Sequence, residues 1–261
     1  AVVRVVPPAV AEVDPAHEGG PARRPTGAPA LPPGGLPGGG FPGPKALAVG
    51  RLRQAFGIPV FIDNDANLGA LAQISWGPYQ NVQNLVFLKL GSGIGAGLIL
   101  NGAPFYGNIG VTGEIGHATV ADHGLICRCG NRGCLETVAS TSTMIDLLSR
   151  GRSEPVSTED IVRIALDGDP AALRVIDDAG LAVGRALANV CNLVNPEVIV
   201  LGGSLTGLDA ILLDPVRRGL LRHAVPAVGE STELAMSGLS NRAEALGAAT
   251  LVLQQAELPS L

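Results

Sequence analysis

The sequence predicts an α/β fold, because apolar runs of strand length alternate with longer segments of helical periodicity. Residues 84–90 and 198–201 are largely apolar runs of strand length, which is typical of buried strands. Residues 173–194 instead repeat apolar side chains in steps of three and four, which indicates one face of a helix. With 261 residues, of which 46% are hydrophobic and 3% aromatic, the chain can bury a sizeable aliphatic core.

The first half carries clear start and stop signals. Its expected elements are a helix over 46–56, a strand over 60–62, a helix over 67–76, and strands over 84–90 and 96–100. Gly57 and Pro59 end the first helix, and the turn Asn101-Gly102 follows the last strand. The strand over 60–62 delivers Asn64 and Asp65 at its carboxyl end, where open α/β sheets bind ligands.

The second half is predicted to be mainly helical with one clear strand. Ser157 and an acidic first turn begin one helix, and Pro170 begins a long one that Asn195-Pro196 ends. The strand over 198–201 and helices over 210–221 and 242–253 complete the expected lobe.

Residues 1–44 differ in composition from the rest. Between residues 19 and 44, 17 of 26 residues are Gly or Pro, and such a composition cannot bury enough apolar surface to offset the ordering of the backbone. We therefore expect two regions, an irregular Pro/Gly-rich segment over 1–44 and a folded domain over 45–261.

One histidine and three cysteines predict a zinc site. His117, Cys127, Cys129 and Cys134 lie within 18 residues, and three thiolates with one imidazole complete a closed tetrahedral zinc site. Gly130 and Gly133 allow the tight turns that bring the thiolates together. Disulfides fit poorly, because one residue between Cys127 and Cys129 is too short a loop for an ordinary bridge.

Two carboxylates flank these ligands in the sequence. Glu114 precedes His117 by three residues, and Glu136 follows Cys134 by two. Carboxylates that converge on a rigid pocket suit a polyhydroxylated ligand, since ionised oxygens accept hydrogen bonds from hydroxyl groups. The alternative is that both are solvated surface charges.

A glycine-rich loop joins the strands over 84–90 and 96–100. Its backbone amides could bind phosphate oxygens. Because it connects two strands and not a strand and a helix, it is neither a Rossmann nor a Walker loop. From the residues alone, a tight hairpin loop explains it as well as phosphate binding does.

Four stretches of the sequence resemble the ROK family, whose name stands for repressor, open reading frame and kinase. The most specific is Glu-Ile-Gly-His at 114–117, followed by Cys-Arg-Cys-Gly-Asn-Arg-Gly-Cys-Leu-Glu at 127–136. The others are Asp-Asn-Asp-Ala-Asn at 63–67, Leu-Gly-Ser-Gly-Ile-Gly-Ala-Gly at 90–97 and Val-Leu-Gly-Gly at 200–203. The resemblance runs from about residue 50 to about residue 256.

This resemblance implies an actin-like, ribonuclease-H-like fold of two α/β lobes with the ligand between them, here with an incomplete first lobe. The implied sugar-binding residues are Asn64, Asp65, Glu114, His117 and Glu136. The implied phosphate-side residues, which would bind a nucleotide cofactor, are Gly91, Ser92, Gly93, Gly95, Gly202 and Gly203. The family also implies a homodimer.

Two branches of the family give two functions. In the kinase branch, Asp65 would be the catalytic base that accepts the proton of a sugar hydroxyl while ATP, with Mg²⁺, supplies the phosphoryl group. In the regulator branch, the same pocket senses a hexose or an amino sugar, and a helix-turn-helix domain outside this chain reads DNA. The Cys-Arg-Cys motif and the tail at 242–249 resemble the regulators more, so we favour a sugar sensor with structural zinc.

The family's Asp-x-Gly-Gly-Thr phosphate loop does not occur in residues 1–60. A truncated gene fragment with a foreign start and a shifted reading frame would each explain this, and the sequence does not decide between them. The missing motif agrees with a protein that does not use ATP, but it also agrees with a fragment that holds zinc and little else.

Charge and hydropathy exclude other classes. The formal net charge of −5 argues against this chain itself being a nucleic-acid-binding module, which normally has a basic face. No stretch of eighteen apolar residues lacks charges, so no membrane span is expected. No signal peptide is visible, and a cytoplasmic location is the expectation.

Overall fold

The computed structural model describes residues 2–5, 44–150 and 152–255, with side chains over 49–150 and 152–254. The strands and α-helices of this part are, in chain order, β1 (Val2–Val5), α1 (Pro44–Phe56), β2 (Val60–Asp63), α2 (Asp65–Trp76), β3 (Leu85–Leu90), β4 (Ile94–Leu100), β5 (Ala103–Pro104), α3 (Glu136–Ala139), α4 (Thr141–Ser149), α5 (Thr158–Leu166), α6 (Pro170–Val194), β6 (Val198–Gly203), α7 (Ala210–His223), α8 (Pro226–Ser231), β7 (Glu233–Met236) and α9 (Ala243–Gln255).

Five strands form the central sheet, in the order β5-β4-β3-β6-β7. β4 is antiparallel to β3 and to β5, whereas β6 is parallel to β3 and to β7. β1 and β2 form a separate antiparallel pair. The architecture is mixed α/β, which confirms the predicted fold class.

Helices cover both faces of the sheet. Because side chains alternate along a strand, Val86, Leu88 and Leu90 of β3 contribute to a core shared with α4, α5, α6 and α7. Leu85 and Phe87, which alternate with those residues along β3, contribute to a second core with α2 and α9. β3 is therefore buried on both faces, which explains why its sequence is almost continuously apolar.

α2 crosses β4 at very short distance. A Cβ built on Gly97 would lie 2.2 Å from the carbonyl oxygen of Ala66, so only glycine permits this approach. Because Ala66 is in the first turn of α2, the contact brings Asn64 and Asp65 next to the loop that joins β3 to β4. This close packing positions the candidate site.

Most predicted element boundaries agree with the structure. Gly57 has a φ of +65° after α1, and Ser157 forms a capping box with Asp160 at the start of α5. Pro170 begins α6, and Asn195 ends it with a φ of +48°. Among the described residues, no helix has the length and apolar character that crossing a bilayer requires.

One prediction needs correction. The second half contains another strand, β7, which pairs with β6. It is short, lies at the edge of the sheet and begins with an exposed Glu233, so it lacks the apolar run that identified β6. Within the segment 1–44, for which we predict an irregular conformation, the structure describes the strand β1. Its other residues before Pro44 lie outside the described part of the chain.

Candidate functional site

His117 and the three motif cysteines form one cluster. Their ligand atoms all lie within 4.8 Å of one another. The Cys129 and Cys134 sulfurs are 3.6 Å apart, and Cys127 Sγ is 3.6 Å from His117 Nδ1. A zinc tetrahedron with zinc–sulfur distances of about 2.3 Å separates its sulfurs by about 3.8 Å. The cluster therefore has the donor set and the spacing that a tetrahedral zinc ion needs.

The backbone of the cysteine loop is fixed by its own hydrogen bonds. Cys127 N donates to Asn131 O at 2.7 Å, and Gly130 N donates to Cys127 O at 2.9 Å. Gly130 and Gly133 have φ values of +93° and +68°, so both predicted glycine turns are present. The loop therefore holds its thiols together through backbone geometry.

The environment of the thiols suits a cation. Burial, together with hydrogen bonds to Cys129 and Cys127, raises the pKa of Cys134 to about 12. A backbone hydrogen bond from Asn131 lowers the pKa of Cys129, whose thiol is exposed. Three thiols confined in this way cannot all ionise without a compensating positive charge, which a metal ion at this position would supply.

A cleft of about 260 Å³ lies beside the cluster. It is lined by Asn64, Asp65, Lys89, Gly91, Ser92, Gly93, Ile94, Gly95, Glu114, His117, Arg128 and Glu136. All five predicted sugar-binding residues are among them, although they come from three separate stretches of the sequence. The cleft thus combines carboxylates, an amide, an imidazole and two cations.

His117 belongs to both the cluster and the cleft. Its Nδ1 faces the sulfur of Cys127, whereas its Nε2 lies 3.7 Å from Oε2 of Glu114. The side chain of Glu114 is 51% exposed, so it is available to a ligand. If the imidazole binds a metal through Nδ1, its other nitrogen faces the cleft.

Asn64 and Asp65 lie at the start of α2. Asn64 is the N-cap residue, and its Oδ1 accepts a hydrogen bond from Ala66 N at 2.8 Å. Asp65 accepts from Ala66 N at 2.9 Å and from the ammonium group of Lys89. Burial raises the pKa of Asp65. The hydrogen bond and charge of Lys89, together with the hydrogen bond from Ala66 N, outweigh this effect, so the pKa lies below the ordinary 3.8.

Lys89 and Arg128 are cleft residues that the sequence analysis missed. Lys89 lies on β3 and also approaches Oε1 of Glu244 at 3.7 Å. Arg128 Nε and Nη2 lie 2.9 Å and 3.2 Å from the two carboxylate oxygens of Glu136. A charged residue inside an otherwise apolar strand was a signal for Lys89, and the position of Arg128 between two ligand cysteines was a signal for Arg128.

The glycine-rich loop is a tight hairpin between antiparallel strands. Leu90 pairs with Ile94, and Gly91 N donates to Gly93 O at 3.1 Å. Ile94 N lies 3.2 Å from Oε2 of Glu136, so part of the loop's hydrogen-bonding capacity is used within the protein. Gly91, Ser92, Gly93 and Gly95 nevertheless line the cleft.

The structure gives packing reasons for the other two predicted phosphate-side glycines. A Cβ on Gly202 would lie 2.2 Å from the ring of Phe87. Gly203 has a φ of +100°, and a Cβ there would lie 2.1 Å from Leu90 O. Neither residue lines the cleft described above.

Known proteins with this sequence pattern include both enzymes and regulators. Residues 47–255 match the ROK family. A glucokinase of Halalkalibacterium halodurans is 34% identical over 220 residues, which cover 78% of this chain and 67% of that protein.

Two solved structures extend the comparison to the fold. A ROK family transcriptional regulator, a homologue of E. coli MLC, superposes with a TM-score of 0.72 at 36% identity over 79% of this chain and 55% of that one. A ROK family glucokinase from Streptomyces griseus, in complex with glucose and AMPPNP, has a TM-score of 0.73 at 27% identity, over 79% and 72% of the two chains.

The chain therefore spans about half the length of the regulator and about two thirds of the glucokinases. The fold it shares with them is that of the actin-like sugar kinases and regulators. The family match over residues 47–255 covers most of the chain and includes both the cysteine loop and the cleft. The chain belongs to the ROK family.

Proposed function

We propose that this chain is the sugar-sensing domain of a ROK-family transcriptional regulator, and that it binds a hexose or an amino sugar in a zinc-braced cleft. The observation that carries the proposal is the cleft itself, where Asp65, Glu114 and Glu136 converge with Asn64 and His117. Fixed carboxylates, amides and imidazoles beside a rigid wall are the groups that orient hydroxyl-rich ligands.

Zinc would be held by His117 and the three cysteines of the cluster. When bound, it would supply structural bracing and charge compensation for the thiolates, with no open coordination position. The residues around it would do the recognition. Asn64 presents an amide, Glu114 an exposed carboxylate, and His117 its second ring nitrogen, and together they would orient the ligand's hydroxyl groups.

The ion pair between Lys89 and Asp65 favours the sensor over the kinase. A general base must be free to take the proton of the sugar hydroxyl, whereas the carboxylate of Asp65 is engaged by the ammonium group of Lys89. Asp65 would then accept a hydrogen bond from a sugar hydroxyl without removing its proton. The arginine in the Cys-Arg-Cys motif agrees with the regulator branch.

DNA binding would belong to a helix-turn-helix domain outside this chain. The sugar would bind one arrangement of the lobes and of the two subunits of a homodimer more tightly than another. Sugar binding would therefore shift the protein toward that arrangement and change its affinity for an operator.

An ATP-dependent sugar kinase is the second candidate, because Asp65 lies at the start of a helix on the cleft and a glucokinase relative binds both glucose and AMPPNP. In that function Asp65 would be the base, the loop over Gly91, Ser92, Gly93 and Gly95, with Gly202 and Gly203, would contribute to the nucleotide side, and Mg²⁺ would neutralise the phosphates.

One experiment separates the two functions. Neutral hexoses and N-acetylhexosamines are titrated calorimetrically into the protein, with and without Mg-ATP, and phosphorylated sugar is measured. The sensor predicts sugar binding without product. Product formed well above background and abolished by Asp65→Asn would establish the kinase, and the binding of no sugar would contradict both proposals.

A further inference from the structure

Asp63 is a buried carboxylate directly ahead of the cleft residues Asn64 and Asp65. It is the last residue of β2, and only 9% of its surface is exposed. Its Oδ1 accepts a hydrogen bond from Asn64 N at 2.6 Å and another from Asn67 Nδ2 at 2.9 Å. Because a buried carboxylate needs hydrogen-bond donors around it, the orientation of the Asp63 side chain and the position of Asn64 depend on each other.

Tyr106 supplies a further donor from a distant part of the sequence. The hydroxyl group of Tyr106 is hydrogen-bonded to the side chain of Asp63. Burial, the charge of Asp63 and this hydrogen bond raise the pKa of Tyr106 above its ordinary 10.0. The phenol therefore keeps its proton near neutral pH, and it is the donor of this pair.

The backbone next to Tyr106 is held on the sheet. Tyr106 lies in the loop that follows β5, and Phe105 N, directly before it, donates to Leu98 O of β4 at 2.9 Å. Residues 107–111 of the same loop are exposed, whereas Tyr106 is half-buried. The phenol thus reaches Asp63 from a backbone that is itself held in place.

Asn64 is held through both its backbone and its side chain. Its N donates to Asp63, and its Oδ1 accepts a hydrogen bond from Ala66 N at 2.8 Å. A rotation of the Asp63 carboxylate would break the first of these contacts and change the direction in which Asn64 presents its amide group to the cleft. Asn64 lines the cleft, but neither Asp63 nor Tyr106 does. A hydroxyl group that holds this carboxylate can therefore act on the ligand site without contacting the ligand.

We propose that Tyr106 is a positioning residue of the cleft, and that it acts through the buried carboxylate of Asp63 to hold Asn64 in the orientation that binds the sugar. The inference rests on the proposed sugar binding. The amide group of Asn64 both donates and accepts hydrogen bonds, as a sugar hydroxyl does, so its direction decides which hydroxyl groups it can bind.

The test removes one hydroxyl group and keeps the ring. Tyr106→Phe is titrated with the neutral sugar that the parent protein binds most tightly, and the affinity should fall by about three- to tenfold, as for the loss of one hydrogen bond. Tyr79→Phe is the matched control, because Tyr79 also donates to a carboxylate oxygen, Glu233 Oε1 at 3.2 Å. Neither residue of that pair lines the cleft, so this variant should keep the parent affinity.

Two conditions separate positioning from a general loss of stability. The titrations are made well below the melting temperature of each variant, so that all of the protein is folded. Hydrogen exchange of the Asn64 backbone amide, followed by NMR, should become faster in Tyr106→Phe while the amides of β3 exchange as in the parent, because only the contact with Asp63 is loosened. Tyr79→Phe should leave the exchange of Asn64 unchanged.

A double-mutant cycle tests the route through Asn64. Tyr106→Phe should weaken sugar binding in the parent and have almost no further effect in an Asn64→Ala background. An equal loss in both backgrounds, or an unchanged exchange rate at Asn64, would overturn the positioning role. A parent that binds sugar together with a Tyr106→Phe variant of the same affinity would overturn the inference alone. A parent that binds none of the neutral sugars would overturn the proposed function as well.

Discussion

Nδ1 of His117 lies 3.6 Å from the sulfur of Cys127, while the other nitrogen of the same ring is directed at Glu114. One imidazole is therefore a wall of the cleft and a member of the sulfur cluster. A change in the cluster that moves this ring also alters the shape of the cleft, because the same side chain belongs to both. Because of this coupling, we expect ligand binding in the cleft to depend on the cluster.

Cys134→Ser should lower the zinc affinity by more than about a hundredfold, since the loss of outer-shell partners alone costs about 10- to 100-fold at metal sites. The thiol of Cys134 is buried in the cluster, and a hydroxyl does not replace it as a zinc ligand. The measurement is the zinc-to-protein ratio after gentle purification. Cys191→Ala is the control, because Cys191 is buried in the helical core and is not part of the cluster. Equal zinc content in Cys134→Ser and in the parent would refute the site.

Lys89→Met should raise the pKa of Asp65. Burial raises the pKa of Asp65, while the hydrogen bond and charge of Lys89 lower it below the ordinary 3.8, so burial dominates once the lysine is gone. Carbon NMR of the Asp65 carboxyl group as a function of pH measures the change. Lys89→Arg keeps the positive charge and should keep the pKa low. A pKa that is the same in the parent and in Lys89→Met would contradict the ion pair.

The same substitution should change how stability depends on pH. A carboxyl group whose folded-state pKa is depressed stabilises the protein above its ordinary value of 3.8, and this stabilisation is lost as the pH falls through the folded-state pKa. The free energy of unfolding of Lys89→Met should therefore fall below that of the parent by about 1 kcal/mol near neutral pH. The difference should shrink as the pH falls below 3.8. Urea unfolding at several pH values measures it.

Gly93→Ala should weaken sugar binding with little loss of stability. The added methyl group would meet Glu136 Oε2 at 3.0 Å and Arg128 Nη2 at 3.2 Å, which are the flexible ends of side chains, so the ion pair must shift and the backbone need not. Calorimetric titration with the sugar measures the affinity. Gly238→Ala is the control, because a Cβ there has no atom within 4 Å. An unchanged affinity in Gly93→Ala would indicate that the ion pair does not shape the ligand site.

Gly97→Ala and Gly50→Ala should change stability in opposite directions. A Cβ on Gly97 would lie 2.2 Å from the carbonyl oxygen of Ala66, and overpacking of this kind costs about 2 to 3 kcal/mol. A Cβ on Gly50, in helix α1, meets no atom within 4 Å, so alanine should stabilise the helix by about 0.5 to 1 kcal/mol. Chemical unfolding measures both. A stable Gly97→Ala would contradict the close crossing of α2 and β4.

The sequence predicted the parts of the fold that depend on local signals. Ser157 and Asn195 are cap residues and Pro170 is the first residue of a helix; their chemistry acts within one turn of helix, and each occurs where it was expected. β7 was missed because its four residues, Glu233–Met236, depend on pairing with β6 and not on a pattern of their own. Long-range pairing is not encoded in a short edge strand.

The sequence predicted the metal-ligating and acidic residues of the candidate site, but not the cations Lys89 and Arg128 that pair with two of the acidic residues. The cysteine motif identifies the cluster because its ligands are close in sequence. The ion pair between Lys89 and Asp65 joins residues 24 positions apart, and it depends on the crossing of α2 over β4 that Gly97 permits. The sequence therefore indicated free carboxylates in the cleft, whereas the structure pairs two of them with cations.

The central claim, a sugar cleft that depends on a metal-braced cysteine loop, is tested most directly by one calorimetric measurement. The zinc-loaded protein, the chelator-treated protein and the treated protein with zinc restored are each titrated with the same neutral sugar, and circular dichroism reports whether the fold survives. We expect binding in the first, a loss of at least about tenfold in the second, and recovery in the third. Equal sugar affinity in all three samples would contradict the claim.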